Sequence, residues 1–127
     1  MMKKWIIAGS RNLNDVSYVV EELDRYAEVH GYPDVVVSGC ANGADRCGET
    51  WANLHNISIR KFPADWGRHG RAAGPIRNAQ MADYAKDDGM LFLFWDGKSA
   101  GSKSMLKEAL GRNLRVKQYV VPEKCGK

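Results

Sequence analysis

The amino-acid sequence predicts an α/β protein: a single α/β/α sandwich, three layers deep, around a mainly parallel five-stranded sheet. Three observations predict it. Strand-like apolar runs alternate with helix-like amphipathic stretches along all 127 residues. The strand runs are apolar almost throughout rather than at every second residue, as in strands covered on both faces. Right-handed crossovers between such strands then place helices above and below the sheet. No linker, repeat or low-complexity segment interrupts the alternation, and the length suits one core of about five strands with their helices, so a single domain is expected over residues 1–127.

The first strand is "KWIIA" (4–8), ended by Gly9. Residues 16–30 follow as a helix, because Val16, Val19, Val20, Leu23, Tyr26 and Ala27 recur at helical spacing and Asp15 stands where a cap belongs. "DVVVS" (34–38) is a second buried strand, residues 45–55 a second helix, and "ISIRKF" (57–62) a third strand with partial alternation. "PADWGRHGRAAG" (63–74) reads as a long, basic, glycine-rich loop. Pro75 opens the next helix, since its missing N–H would be unpaired in a first turn, and "PIRNAQMADYAKD" (75–87) continues it. "MLFLFW" (90–95) is a fourth strand, "DGKSAGS" (96–102) a second glycine-rich turn, "SMLKEALGR" (104–112) a helix ending near Gly111, and "LRVKQYVV" (114–121) a fifth strand. The class is Rossmann-like. With strand order 3-2-1-4-5 the winding reverses between strands one and four, so the loops at 9–15 and 96–102 flank the expected site.

Composition removes several classes of function. A chain 44% hydrophobic and 27% charged with four tryptophans is that of a folded protein rather than a disordered one. No apolar run approaches the roughly 20 residues that cross a bilayer, and the start "MMKKWIIAGSRNLND" is too short in apolar residues for a secretory signal, so no membrane partner and a cytoplasmic location are expected. Cys40, Cys47 and Cys125 are odd in number and match no zinc spacing; they read as free thiols, with no metal and no cofactor expected. The net charge of +4 favours anionic partners, yet no block of five or more basic residues marks a nucleic-acid arm.

Four loops carry the candidate chemistry. In "GSRNLND", Gly9 permits a sharp turn, Ser10 offers a hydroxyl, and Arg11 is either a solvated turn residue or a planar cation for a phosphate. "SGCANGAD" places Ser38, Gly39 and Gly43 at a helix start, where backbone donors lack partners, while Asp45 in the first turn is able to satisfy those donors itself. This stretch is neither G-x-G-x-x-G nor a P-loop, so a turn and a phosphate cradle both remain open. The third loop carries Trp66, Arg68, His69 and Arg71, followed by Arg77 and Asn78; Trp66 is placed either to stack on a base or to pack as a lid, and His69 is a weak acid–base candidate. The fourth supplies Gly97, Gly101 and Ser102, with Lys98 and Lys103 nearby. Asp45 and Glu49, one helical turn apart, are carboxylates for acid–base work or a ribose, or merely capping and solvated groups. Two glycine-rich strand-to-helix turns with Arg11 and Arg77 on one sheet edge favour a phosphate-bearing ligand.

Together, "IIAGSRNLND", "VVVSGCANGAD", "FPADWGRHGRAAGPIRNAQMA" and "WDGKSAGSKSML" resemble, in order and over nearly the whole chain, the YspA-type, cpYpsA-related branch of the SLOG superfamily. The resemblance implies a Rossmann-like fold that binds nucleotides or nucleotide-derived ligands, including ADP-ribose derivatives in phage–bacterium signalling. It also implies kinship with the LOG phosphoribohydrolases, which cleave the bond between base and ribose 5'-phosphate, and a homo-oligomer. Against the LOG Arg-Lys-x-x-Met segment, "RNAQM" keeps Arg77 and Met81 but has Asn78 for the Lys. Against Gly-Gly-x-Gly-Thr-x-x-Glu, "GKSAGSKSM" keeps Gly101 and Ser102 but has Met105 where the catalytic Glu belongs. A thioether neither stabilises an oxocarbenium ion nor activates water, so binding is favoured over hydrolysis.

Three readings follow. The first is a sensor or sequestering protein for a nucleotide-derived small molecule, held by Gly9, Ser10, Arg11, Ser38, Gly39, Gly43, Asp45, Trp66, Arg77, Asn78, Gly97, Gly101 and Ser102. The alternative is an N-glycosidase or phosphoribohydrolase with Arg77, Asp45 or Glu49 as catalytic candidates and Asp96 as another source of a carboxylate. Single-stranded nucleic-acid binding comes third, since no basic stripe with interleaved aromatics supports nucleic acid as a partner.

Overall fold

Residues 2–121 are described by a computed structural model. Five strands, β1 (Lys4–Gly9), β2 (Val35–Ser38), β3 (Ser58–Lys61), β4 (Gly89–Trp95) and β5 (Arg115–Val120), pair in the order β3-β2-β1-β4-β5. Every pairing is parallel, with Trp5 opposite Val36 and Met90 across the three central strands. The sheet is therefore the predicted Rossmann-like one, and wholly rather than mainly parallel.

Alternation along the strands divides the core in two. Trp5, Ile7, Val36, Phe92 and Phe94 pack against Val19, Leu23 and Ala27 of α1 (Val16–His30) and Cys47 and Trp51 of α2 (Ala44–Leu54). Ile6, Ala8, Val37, Leu91 and Leu93 meet Met81, Ala82 and Ala85 of α4 (Ala73–Ala85) and Met105 and Ala109 of α5 (Ala100–Gly111) on the other face. Burying both faces of β1 and β4 explains their unbroken apolar sequence. The edge strands are polar by comparison: β3 and β5 expose most of their residues. On the first face Trp5 and Trp51 lie parallel with ring centroids 5.6 Å apart, and Trp51 donates from Nε1 to Asp24 at 2.8 Å, so the indole N–H in the core is paired.

Three local expectations are corrected. Residues 63–74 are not a loop throughout: α3 (Trp66–His69) and a 3-10 turn (Gly70–Ala72) lie within them. Asp65 caps α3 by accepting from the Arg68 N–H at 3.1 Å, and Gly70 ends it at φ +55°. The helix carrying Arg77 starts at Ala73, two residues before Pro75, which still occupies the first turn where no N–H is needed. The last helix starts at Ala100 rather than Ser104, so Gly101 and Ser102 are its first-turn residues and not part of a preceding turn. Cys40 and Cys47 are free thiols, whereas Cys125 lies outside the described residues.

Candidate functional site

Each parallel strand delivers its following loop to the same edge of the sheet, so the four loops singled out in the sequence meet at the carboxyl ends of β1 to β4. Between them lies a cavity of about 880 Å³. Gly9, Ser10, Arg11, Asp45, Trp66, Arg77, Asn78, Gly101 and Ser102 all line it. Ser38, Gly43, Glu49 and Gly97 do not, and Gly39 faces an adjoining groove instead.

The loop "SGCANGAD" largely satisfies its own donors. The Cys40 N–H donates to Ser38 Oγ at 3.1 Å, the Ala41 N–H to Asp45 Oδ2 at 3.2 Å, and the Ala44 N–H to the Ser10 carbonyl at 3.1 Å. Gly39 also directs its N–H to Asp45. Gly43 is required by packing: at φ +83° its missing Cβ would lie 2.2 Å from the Ser10 carbonyl oxygen, where the first loop crosses the second. Ser38 Oγ donates to Glu49 Oε2 at 2.6 Å, which ties Glu49 to the end of β2 rather than to the cavity.

Asp45 is the buried carboxylate of this edge, 5% exposed. Burial pushes its carboxyl up to about 6, with Glu49 adding to the rise, while the Ala41 and Gly39 N–H groups and the Arg77 charge oppose it. Arg77 is also buried; it donates from Nη1 to the Gly39 carbonyl and from Nε to Asn78 Oδ1 at 3.0 Å. A Cβ on Gly39 would come within 2.7 Å of that Nη1 and 2.8 Å of Asp45 Oδ2, so this glycine makes room for both side chains. Desolvation pulls the guanidinium below its ordinary value; Asp45 counters this, and the like charge of Arg11 adds to it. Asn78 in turn donates to Ser104 Oγ at 3.1 Å and reaches the Gly101 carbonyl at 3.4 Å, fastening Arg77's helix to the first turn of α5.

That first turn is arranged differently from the start of α2. Asp96 Oδ1 accepts from the N–H groups of Lys98 at 2.8 Å and Ser99 at 3.0 Å, which holds its carboxyl below the usual range and commits it to the turn. Beyond it, Ser99 makes no side-chain cap bond and no acidic residue stands in the first turn, leaving the early N–H groups without a carboxylate partner. A Cβ on Gly101 would meet nothing within 4 Å. Ser102 is 4% exposed, and its Oγ, like that of Ser10, has no hydrogen-bond partner among the described residues. Both serines line the cavity.

Arg11 is exposed and makes no hydrogen bond or ion pair among the described residues. Trp66 is half-exposed on α3 and borders the cavity. Arg71, read in the sequence only as part of a basic loop, borders it too, because α3 and the 3-10 turn bring it round. The cavity also has an apolar side formed by Leu13, Met81 and Met105, of which the Met81–Met105 pair follows from the two helices packing together. Nothing in the sequence singled out Asn12 or Ser104 as cavity residues. His69, Lys98 and Lys103 do not line the cavity. Among the described residues no group of three or more His, Cys, Asp or Glu side chains is placed to hold a metal ion, and no helix is long and apolar enough to cross a membrane.

A parallel sheet with loops converging at its point of strand reversal defines the class, a Rossmann-like protein with a cleft at the carboxyl ends of its strands. The sequence model of the YspA, cpYpsA-related SLOG family matches residues 4–69, from β1 through α3. The chain is also 33% identical over 120 residues to the gene 61 protein of Mycobacterium phage D29, an alignment that covers 91% of this chain and 94% of the phage protein. The chain belongs to the YspA, cpYpsA-related SLOG family. No solved structure matches it.

Proposed function

We propose that this protein binds a nucleotide or nucleotide-derived ligand of the ADP-ribose type at the carboxyl edge of its sheet and retains it intact, as a sensor or sequestering protein in phage–bacterium nucleotide signalling. The observation that carries this reading is the first turn of α5. Its uncapped N–H groups, the open flank of Gly101 and the buried hydroxyl of Ser102, unpaired among the described residues, face a cavity that Arg11 also lines. A buried hydroxyl without a partner costs free energy in the empty protein, and an anionic oxygen would supply that partner and complement the helix dipole. Arg11 and Arg71 add positive charge, while Trp66 offers an aromatic face for a base. The "SGCANGAD" loop supports the site from behind by holding Asp45 and Arg77.

Family membership supports a nucleotide-related ligand, and Met105 in the cavity wall supports binding without LOG-type hydrolysis. The same reading takes the chain as one domain acting as a homo-oligomer in the cytoplasm. Calorimetric titration with nucleoside phosphates tests it: Arg11→Ala is expected to weaken binding about tenfold or more while thermal stability is unchanged, because the side chain is exposed. Equal affinity in both proteins would remove Arg11 from the site.

One observation favours a second reading. Asp45 lines the cavity with its carboxyl raised to about 6, a value suited to a general acid near neutral pH. An N-glycosidase would use it to protonate the base as the bond to ribose breaks, while water adds to the ribose carbon and gives up its proton to solvent. Free base and ribose phosphate, formed by the native protein and not by Asp45→Asn, would establish that activity; nucleotide recovered intact would exclude it for the nucleotides tested.

A further inference from the structure

We propose that ligand capture in the cavity is coupled to uptake of a proton by Asp45, so that the protein holds its anion more tightly on the acid side of neutrality and releases it as pH rises. This inference rests on the phosphate-binding reading of the cavity and adds the regulation of that same site. A juxtaposition of like charges carries it. Asp45 is 5% exposed and lines the same cavity as Ser10, Arg11, Gly101 and Ser102. Its Oδ2 accepts from the Ala41 N–H at 3.2 Å, but among the described residues no lysine, arginine or histidine forms an ion pair with it. A buried carboxylate and a bound phosphate in one cavity repel each other with little water to screen them. The carboxylate is the weaker acid of the two, so it relieves the repulsion by taking a proton.

The groups around Asp45 direct the proton to this residue. From α4, the Arg77 guanidinium is committed to the Gly39 carbonyl and Asn78 Oδ1, and opposes protonation only through its charge. On α2, Glu49 lies one turn on, accepts the Ser38 hydroxyl and favours a proton on Asp45; Cys47 is a thiol kept protonated by burial and by the charges of Asp15 and Asp45. The loop before α2 supplies the Gly39 and Ala41 N–H groups, which favour the anion, and the Cys40 thiol. From the loop after β1 come Arg11 and Asp15, both exposed, the latter accepting from the Tyr18 N–H. Across the cavity stand Arg71 and Asp96, and the two N–H donors on Asp96 keep it ionised. His69 does not line the cavity, and His30 and His55 lie at the far ends of α1 and α2.

Burial already places the Asp45 carboxyl at about 6 in the empty protein, and a bound anion moves its titration further up. Below about pH 6 the carboxyl is neutral with or without ligand, and affinity is level. Above that, the empty protein has lost a proton that the complex retains, so affinity falls with pH by up to about tenfold per unit. The fall ends where the complex itself ionises.

The test is calorimetric titration with ADP-ribose and with cyclic AMP at about pH 6, 7 and 8, in two buffers of different ionisation enthalpy. Neither probe carries a phosphate monoester, whose second ionisation near ~6 would itself take up protons in this range. Affinity is expected to fall about tenfold from pH 6 to pH 8, with roughly half a proton or more taken up per ligand near pH 7. Asp45→Asn keeps an acceptor for the Ala41 N–H and does not ionise. It is expected to abolish the uptake and to bind at pH 8 about tenfold more tightly than the native protein. His69→Gln is expected to retain the uptake, which keeps the assignment testable should Asp45→Asn fail to fold. Binding without proton uptake and with level affinity from pH 6 to pH 8, uptake that survives Asp45→Asn, or uptake lost in His69→Gln would overturn the coupling and leave the phosphate site standing. Absence of binding by both probes at every pH would overturn both.

Discussion

Asp45 shows how one buried side chain links the local sequence to a measurable property. Its carboxyl ionises near 6 in the folded protein, above the ordinary 3.8, because burial penalises the anion more than its N–H donors and Arg77 stabilise it. Between about pH 4 and 6 the folded state therefore holds a proton that the unfolded state has lost, and stability falls as pH rises through that window. The difference in unfolding free energy between the native protein and Asp45→Asn is expected to shift against the native protein by about 3 kcal/mol from pH 4 to pH 7, as read by denaturant titration. A difference independent of pH would mean that Asp45 is not buried as described. Gly39→Ala tests the same cluster from its other side: the added methyl presses on the Arg77 guanidinium and Asp45, and a loss of about 1–2 kcal/mol is expected, with weaker ligand binding. Arg11, Arg77, Trp66, Gly101 and Ser102 were legible as cavity residues because arginines and a tryptophan accompany several glycine-rich segments that a parallel sheet brings to one edge, a convergence that no single turn requires. The positions of Ser38, Gly43 and Glu49 were not, since they depend on which donor meets which acceptor across two loops, and sequence spacing does not encode that.

At the scale of elements, the starts of α2 and α5 looked alike in sequence and differ in structure. The first is occupied by protein groups, with the Ala44 N–H on the Ser10 carbonyl of the neighbouring loop and Asp45 in its first turn, whereas the second is open. Ser102→Ala distinguishes a ligand site from a structural turn. It removes an unpaired buried hydroxyl, so the empty protein is expected to keep its stability or gain up to about 1 kcal/mol, while phosphate-ligand affinity falls about tenfold. Reduced stability with unchanged affinity would assign the hydroxyl a structural role. Asp24 joins α1 to α2 by accepting from Trp51 Nε1 and contacting His55 Nε2, each at 2.8 Å; Asp24→Ala leaves the indole N–H unpaired and is expected to cost about 1–3 kcal/mol in chemical denaturation. The short α3 was not legible because three glycines in "WGRHGRAAG" argue for a loop, and only the Asp65 cap signals the single helical turn.

For the whole molecule, the apolar strands and their intervening helices were sufficient to read the fold class, because burial of both faces of β1 and β4 requires helices on both sides of the sheet; the order 3-2-1-4-5, taken as the expectation for such a sheet and not encoded in any one strand, is the order observed. The closure of the cleft was less accessible, since it depends on where the segment from Trp66 to Ala72 folds back over the sheet edge. The resulting assembly joins an open helix start, an arginine and two serine hydroxyls without partners among the described residues, and a half-exposed tryptophan around one cavity. The most direct test is mass spectrometry of small molecules released by denaturing the purified protein after incubation with a nucleotide library that includes NAD and cyclic ADP-ribose derivatives. The expected result is an intact phosphate-bearing nucleotide, retained by the native protein and lost with Arg11→Ala. Release of free base with ribose phosphate, or retention of no nucleotide at all, would contradict it.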